Sequence, residues 1–505
     1  MNDILSKGIT TAQELAKQLA PRSTILRNAF VIKLDEPENK NTLHDLYESF
    51  KKRVFKDLRA DEFANAFAQM ISYGLFLARL HTDGTIVLTV DNAKNYIPKS
   101  FELIKQLTRF LDVLHTKDYE DIRWVVDEIF SIINTFDFEA VQEEYRIKEK
   151  DPYVYFYENF LSEFDNDLRR KRGVYYTPLP VVKFIIKGVD DILKDTFHIK
   201  NGFADEKVTA LDFATGTGTF LVEMFKHVLD SLPENSGKRD FLIQNHLLKN
   251  FYGFEYMIAP YVIAHIKLSE FLKERGYDLK ESERLGVLLT NTLETPENLG
   301  AQFSLPGFGA LDEESKKAQD VKEKDILVIV GNPPYSAVSR NDTPGLINAY
   351  KEIDGKPLGE KNSKNLQDDY VKFIRFAQKK MDKVEEGIVG VITNHGFLDN
   401  PTFRGMRQSL MKTFEQIYTL NLHGNATKRE KCPDGSKDEN VFDVKQGVCI
   451  TFFVKKKGLD PKICYADLWG KRDEKFRFCH NETIKSIEWK ELHPTSPQCF
   501  FLSLI

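Results

Sequence analysis

A chain of 505 residues with 42% hydrophobic and 29% charged content has the texture of a globular protein of about two to four domains, neither disordered nor fibrous. Its formal net charge of −5 excludes a simple polycation, so any nucleic-acid surface must gather its basic groups on one face. No apolar run is long enough to span a bilayer, and the start, with Asp3 and Lys7, lacks the apolar core of a signal peptide.

Residues 1–165 read as a helical N-terminal domain. In the stretch from Ala60 to Leu80, Phe63, Phe67, Met70, Gly74 and Leu77 recur at helical spacing, as do Leu103, Leu107, Phe110 and Leu114 farther on. Glu38-x-Lys40 resembles the tail of a nuclease pattern, but Asp35 is too close to serve as its upstream acid, so it is read as a chance match. A basic cluster, Arg169, Arg170, Lys171 and Arg172, is either a solvated helix end or a phosphate contact.

From about residue 200 the texture becomes short apolar strands alternating with amphipathic helices, which predicts a parallel α/β sheet. The strand candidates are VTALDF, FYGFE, RLGVLLTNTL, DILVIVGN, GIVGVITN, IYTLNLHG and VCITFFVKK. Polar stretches at 352–369 and 425–440 interrupt them and read as long surface loops of the kind that carry function. The five cysteines, Cys432, Cys449, Cys464, Cys479 and Cys499, form no C-x-x-C pair. Neither a disulfide framework nor a zinc site is expected, no metal is assigned, and a reduced, cytoplasmic compartment follows.

VTALDFATGTGTFLVEMF is a strand, a tight turn and a helix. Asp212 ends the strand, and Gly216 and Gly218 let backbone bend sharply beside a ligand. A G-x-G of this kind is weak alone, about an even bet against a structural turn. Glu255, ending FYGFE, stands where a ribose diol lies in a doubly wound fold, though much farther along than the dinucleotide pattern puts it. The third, pyrophosphate-binding glycine is missing. A glycine turn without phosphate apparatus suits a nucleoside without phosphates, of which S-adenosylmethionine is the commonest, and Asn291 is a candidate for adenine recognition through its amide.

The strand DILVIVG ends in Asn332-Pro333-Pro334-Tyr335. An exocyclic amine on a planar base is a poor nucleophile because its lone pair is delocalised into the ring. Two acceptors held against its N–H bonds pull it toward tetrahedral geometry. The Asn332 side chain and the Pro333 backbone carbonyl offer them, and the prolines fix the turn so that both point outward. Tyr335 offers a flat face for a base extruded from a duplex.

With these residues assembled, Asp212-Phe-Ala-Thr-Gly-Thr-Gly, Glu255 and Asn332-Pro-Pro-Tyr335 resemble the motifs of the adenine-N6 DNA methyltransferases. RGVYYTP at 172–178 resembles the motif that meets the methionine end of the cofactor, and its place ahead of the glycine turn is that of the gamma class. The resemblance implies a Rossmann-like S-adenosylmethionine-dependent α/β sheet (166–460) behind the helical domain. It assigns Thr177 and Pro178 to the methionine pocket, and Asp212, Ala214, Gly216 and Gly218 to the cofactor turn. Glu255 falls to the ribose, Asn291 to the adenine, and Phe442 to packing on the extruded base, with a core phenylalanine on a strand as a nearly equal alternative.

YVYFYENFL and DDYVKFIRFA further resemble the modification part of type IIG/IIL and single-chain type I-like restriction–modification enzymes. Residues 461–505 read as the start of a target-recognition region that the chain truncates or that a separate specificity subunit replaces. Double-stranded DNA with base flipping is the implied partner, and no membrane is. Methylation of an RNA base or a protein glutamine, cytosine N4 as acceptor, and an inactive remnant that only binds cofactor or DNA stay open.

Overall fold

The computed structural model describes residues 8–36, 41–53, 55, 58–82, 86–97, 109–137, 140, 152–165, 176–232, 237–280, 282–294, 309–335, 341, 343–360 and 364–502. Glu38, Lys40, Leu103, Leu107 and the basic cluster at 169–172 lie outside them. The described strands, in chain order, are β1 (Ala210–Asp212), β2 (Phe251–Glu255), β3 (Val287–Leu289), β4 (Val328–Gly331), β5 (Glu352–Ile353), β6 (Lys356–Pro357), β7 (Glu386–Asn394), β8 (Gln416–His423), β9 (Val448–Lys456), β10 (Lys462–Asp467) and β11 (Lys490–Leu492). The chain forms two compact units.

The first unit takes residues 1–171, 255–291 and 297–319. Its described elements are mainly helices, among them Ala12–Asp35, Ala60–Leu80, Glu120–Asn134, Pro152–Phe164 and Ile258–Glu274. Thr11 caps the Ala12–Asp35 helix by accepting from the Glu14 amide at 3.2 Å. Where that helix crosses Ala60–Leu80, Ser23 and Ser72 share a buried 2.6 Å hydrogen bond. The Ala60–Leu80 helix departs from the one-face expectation. From Phe67 to Arg79 every residue is buried, so it is the central helix of this unit. Its Phe63 and Phe67 stack on each other, and Phe67 packs ring on ring with Phe30 and Phe110. Glu314 pins the Gly309–Glu323 helix to β3, accepting from the Leu289 amide at 2.9 Å while ion-paired with Arg284.

The second unit takes residues 172–254, 292–296 and 320–505. Its strands run in the order β11–β10–β8–β9–β7–β4–β1–β2. The pairs β2–β1, β1–β4, β4–β7 and β8–β10 are parallel, whereas β9 runs antiparallel to both β7 and β8, and β11 antiparallel to β10. The sheet is therefore mixed rather than wholly parallel, since apolar periodicity reports burial and not strand direction. The Leu179–Asp195 helix lies on it closely. A Cβ on Gly188 would come within 2.6 Å of the Phe452 ring, and one on Gly390 within 2.8 Å of Val189. From β1 the order runs to β2 on one side and β4 on the other. That is a switch point, the place where ligands enter open α/β sheets at the strands' carboxyl ends.

Candidate active site

Two turns leave the sheet at that switch point. β1 and β4 lie side by side in register, Asp212 opposite Val330, and the Phe213 amide extends the pairing by donating to the Val330 carbonyl at 3.2 Å. The glycine turn and the Asn-Pro-Pro-Tyr turn thus leave neighbouring strands in the same direction. At the crossing point Gly331 has φ +150°, and a Cβ there would lie 2.7 Å from the Phe213 ring and 3.0 Å from Asp212 Oδ1. Only glycine admits this approach.

The glycine turn is built from its own hydrogen bonds. Asp212 is fully buried, and its Oδ1 accepts from the Ala214 amide at 3.2 Å. The Thr215 amide donates to the Phe254 carbonyl at 3.0 Å, and the Thr215 hydroxyl to the Asp212 carbonyl at 3.1 Å. Gly216 is left-handed, and a Cβ there would meet nothing within 4 Å. Gly218, at φ +82°, caps the Thr219–Asp230 helix. Two supports escaped the sequence reading. Gly253 lets β2 approach so closely that a Cβ would lie 2.4 Å from Thr215 Oγ1, and the buried Thr292 hydroxyl donates to the Phe213 carbonyl at 2.7 Å.

In the second turn the Tyr335 hydroxyl donates to Asn332 Oδ1 at 2.8 Å and lies 3.3 Å from the Ile392 carbonyl in β7. Burial pushes the Tyr335 phenol well above its ordinary value, so it remains a donor. Its ring meets Tyr370 edge-on at 6.3 Å and Phe442 at 6.4 Å. Phe442 is buried, but in the loop before β9 rather than on a strand. Its amide donates to Asn440 Oδ1 at 2.9 Å, and its carbonyl accepts from Arg472 at 3.0 Å. Beneath it, the buried ammonium of Lys475 binds Asp438 at 2.6 Å and the Leu422 and Glu439 carbonyls at 2.7 and 2.6 Å. The 425–440 stretch, expected as a surface loop, is in this way tied to the Arg472–Asn481 helix. Tyr370 was legible only as part of DDYVKFIRFA; it stands in the first turn of the Asp369–Met381 helix.

The remaining candidates are less gathered. Thr177 is half-buried, and Pro178 caps the Leu179–Asp195 helix, its carbonyl accepting from the Val181 amide at 2.9 Å. Glu255 and Asn291 belong to the first unit. There Glu255 is buried, its side chain accepts from the Met257 amide at 2.6 Å, and its carbonyl accepts from the Thr290 amide at 2.8 Å. A cavity of about 760 Å³, lined by Thr209, Leu327 and Glu386, opens at the strands' amino ends and is not the site described here.

A glycine turn and an Asn-Pro-Pro-Tyr turn that leave adjacent strands at a switch point define the class, a Rossmann-like methyltransferase. The family model for N-6 DNA methylases matches residues 148–416, more than half of the chain, and the chain belongs to that family of adenine-specific DNA methyltransferases. No curated protein matches the sequence. Among solved structures, the cryoEM structure of the DrdV–DNA complex aligns with a TM-score of 0.75 and 24% identity, covering 98% of this chain and 46% of that one. A nuclease-deletion mutant of the Type ISP restriction-modification enzyme LlaGI, in complex with a DNA substrate mimic, aligns at 0.72 and 21%, covering 96% and 38%. The ATP-dependent Type ISP enzyme LlaBIII bound to DNA aligns at 0.72 and 22%, covering 96% and 32%. At these identities the likeness is one of fold, and this chain spans less than half the length of each.

Proposed function

We propose that this chain, in the cytoplasm, transfers a methyl group from S-adenosylmethionine to adenine N6 within a specific double-stranded DNA sequence, as the modification part of a restriction–modification enzyme. The observation that carries the reading is that the glycine turn and the Asn332 turn leave the carboxyl ends of the paired parallel strands β1 and β4, with Gly331 packed against Asp212.

The glycine turn fits the cofactor. Gly216 is left-handed with open space where a Cβ would stand, Ala214 and Gly218 are small, and the buried Asp212 carboxylate holds the turn through the Ala214 amide. Thr177 and Pro178 complete the pocket at the methionine end in this reading, while Glu255 on the ribose and Asn291 on the adenine rest on the sequence motif alone. Bound there, S-adenosylmethionine supplies an electrophilic sulfonium methyl.

The protein's own part is positioning. The target base, turned out of the duplex, stacks on Tyr335 and is closed in by Phe442. Asn332 Oδ1 and the Pro333 carbonyl accept from the two N–H bonds of the amine and free its lone pair for in-line attack. The Tyr335 hydroxyl, already on Asn332 Oδ1, holds that amide in its accepting orientation. As the N–C bond forms the S–C bond breaks and the donor leaves as its thioether; the methylated, now cationic amine is strongly acidic and gives one proton to solvent water, so no strong base is required.

Methyl-tritiated S-adenosylmethionine incubated with a duplex library tests the reading. Label is expected in DNA with the native chain and none with Asn332→Ala. Equal labelling by both, or cofactor binding without transfer to DNA by the native chain, would overturn it.

A further inference from the structure

At the carboxyl ends of β7 and β8, two imidazoles and a carboxylate converge. His395 opens the turn after β7, His423 closes β8, and Glu430 comes from the loop that leads to Phe442. One donor atom from each lies within 4.8 Å of the others, and both histidines are buried, His423 to 95%.

The hydrogen bonds fix which nitrogens are left to ligate. The Asn421 amide oxygen is identified by the His423 backbone N–H that donates to it at 3.2 Å. That oxygen lies 3.1 Å from His395 Nδ1, so Nδ1 carries the hydrogen and Nε2 presents its lone pair, now capped by the Asn425 amide at 3.1 Å. Asp467 accepts from His423 Nε2 at 2.7 Å, which leaves Nδ1 facing Glu430 at 3.9 Å, buried and without a hydrogen-bond partner. A β-bulge holds His423 at φ +53°, and Trp469 stacks flat on its ring, so the direction of Nδ1 is imposed by the fold.

Each imidazole therefore aims one nitrogen inward and anchors the other on an oxygen, the outer arrangement that metal-bound histidines keep. We propose that His395 Nε2, His423 Nδ1 and the Glu430 carboxylate bind one divalent transition ion, zinc by its donor set. Closing on an ion would draw all three donors, now within 4.8 Å of one another, to the roughly 3.3 Å spacing of tetrahedral zinc ligands, with the Asn425 side-chain amide giving up His395 Nε2 and its backbone N–H giving up Glu430. A cavity of about 670 Å³ lined by the same three residues and Asp467 supplies a water as fourth ligand. The ion would clasp the loop carrying Phe442 to the ends of two strands and takes no part in methyl transfer.

The full chain, stripped with chelator, is titrated with Co²⁺ and separately with Zn²⁺. One equivalent is expected, with visible cobalt bands and no sulfur-to-cobalt charge transfer, which sets the site apart from Cys432 nearby. His423→Gln and Glu430→Gln should each weaken binding more than about 100-fold, and Asp467→Asn by about 10–100-fold. Should either variant fail to fold, nitrogen NMR of the native chain decides, with two histidine rings shifting on zinc addition. A folded native chain that binds no stoichiometric metal, or binding that survives both ligand substitutions, would overturn the site.

Discussion

Gly331→Ala is the substitution that most directly stresses the geometry of the two turns. The added methyl would sit 2.7 Å from the Phe213 ring and 3.0 Å from Asp212 Oδ1, at a backbone φ of +150°. Neither neighbour yields easily: both are fully buried, and Phe213 is wedged edge-on against Phe373. Overpacking costs about 1–3 kcal/mol and the backbone conformation about as much again. Relief comes by moving the Asn332 turn away from Asp212. A shift of about 1 Å between reacting groups costs on the order of 100-fold in rate. The assay is kcat/KM for methyl transfer beside thermal unfolding, with Gly390→Ala as control. There a Cβ meets Val189 at 2.8 Å in the middle of β7, so it should lower stability while each folded molecule keeps its activity. If Gly331→Ala stays within about threefold of the native kcat/KM, the turns do not act as one unit and the reasoning fails.

Tyr335→Phe keeps the stacking ring but loses the hydroxyl on Asn332; a drop in kcat of about 3–10-fold with little change in KM for DNA is expected from steady-state kinetics. Phe442→Ala should instead raise KM for DNA, by the equivalent of about 1–3 kcal/mol for a lost base-stacking face, with cofactor affinity by calorimetry unchanged. Lys475→Met takes the ammonium from the buried Asp438 carboxylate, which keeps the Gly424 and Gly470 amides, and should cost about 3 kcal/mol in denaturant unfolding. Burial lowers the His265 imidazole from 6.5 to about 3. The unfolded chain therefore binds the extra proton between these values, and stability present above pH 6.5 is lost as pH falls. At pH 5 the loss is about 2 kcal/mol relative to pH 7, and His265→Gln should remove that slope from denaturation curves.

Much of the second unit was legible because its signals are local. Each of the seven strand candidates falls on a strand, with β7 and β8 each starting one residue earlier, and FYGFE and VCITFFVKK coincide with β2 and β9. Asp212, the two glycines and Asn332–Tyr335 mark their turns by residue type, and the sheet then brings them together. What stayed hidden depends on pairing between distant segments. The antiparallel run of β9 leaves no trace in its apolar pattern, and the polar edge strand β11, Lys-Glu-Leu, offers no periodicity at all. Gly253 and Gly331 read as ordinary strand glycines until the neighbouring turn is seen pressed against them. His395, His423 and Glu430 come from three elements with no ligand spacing between them, so no metal was expected from the sequence.

The central claim is that the Asn332 turn holds adenine N6 for methyl transfer from S-adenosylmethionine. Enzymatic digestion of DNA treated with the native chain and S-adenosylmethionine, followed by mass spectrometry of the nucleosides, tests it most directly. The account predicts N6-methyl-2′-deoxyadenosine that disappears with Asn332→Ala. N4-methylcytosine in its place, or N6-methyladenine still formed by Asn332→Ala, would contradict it.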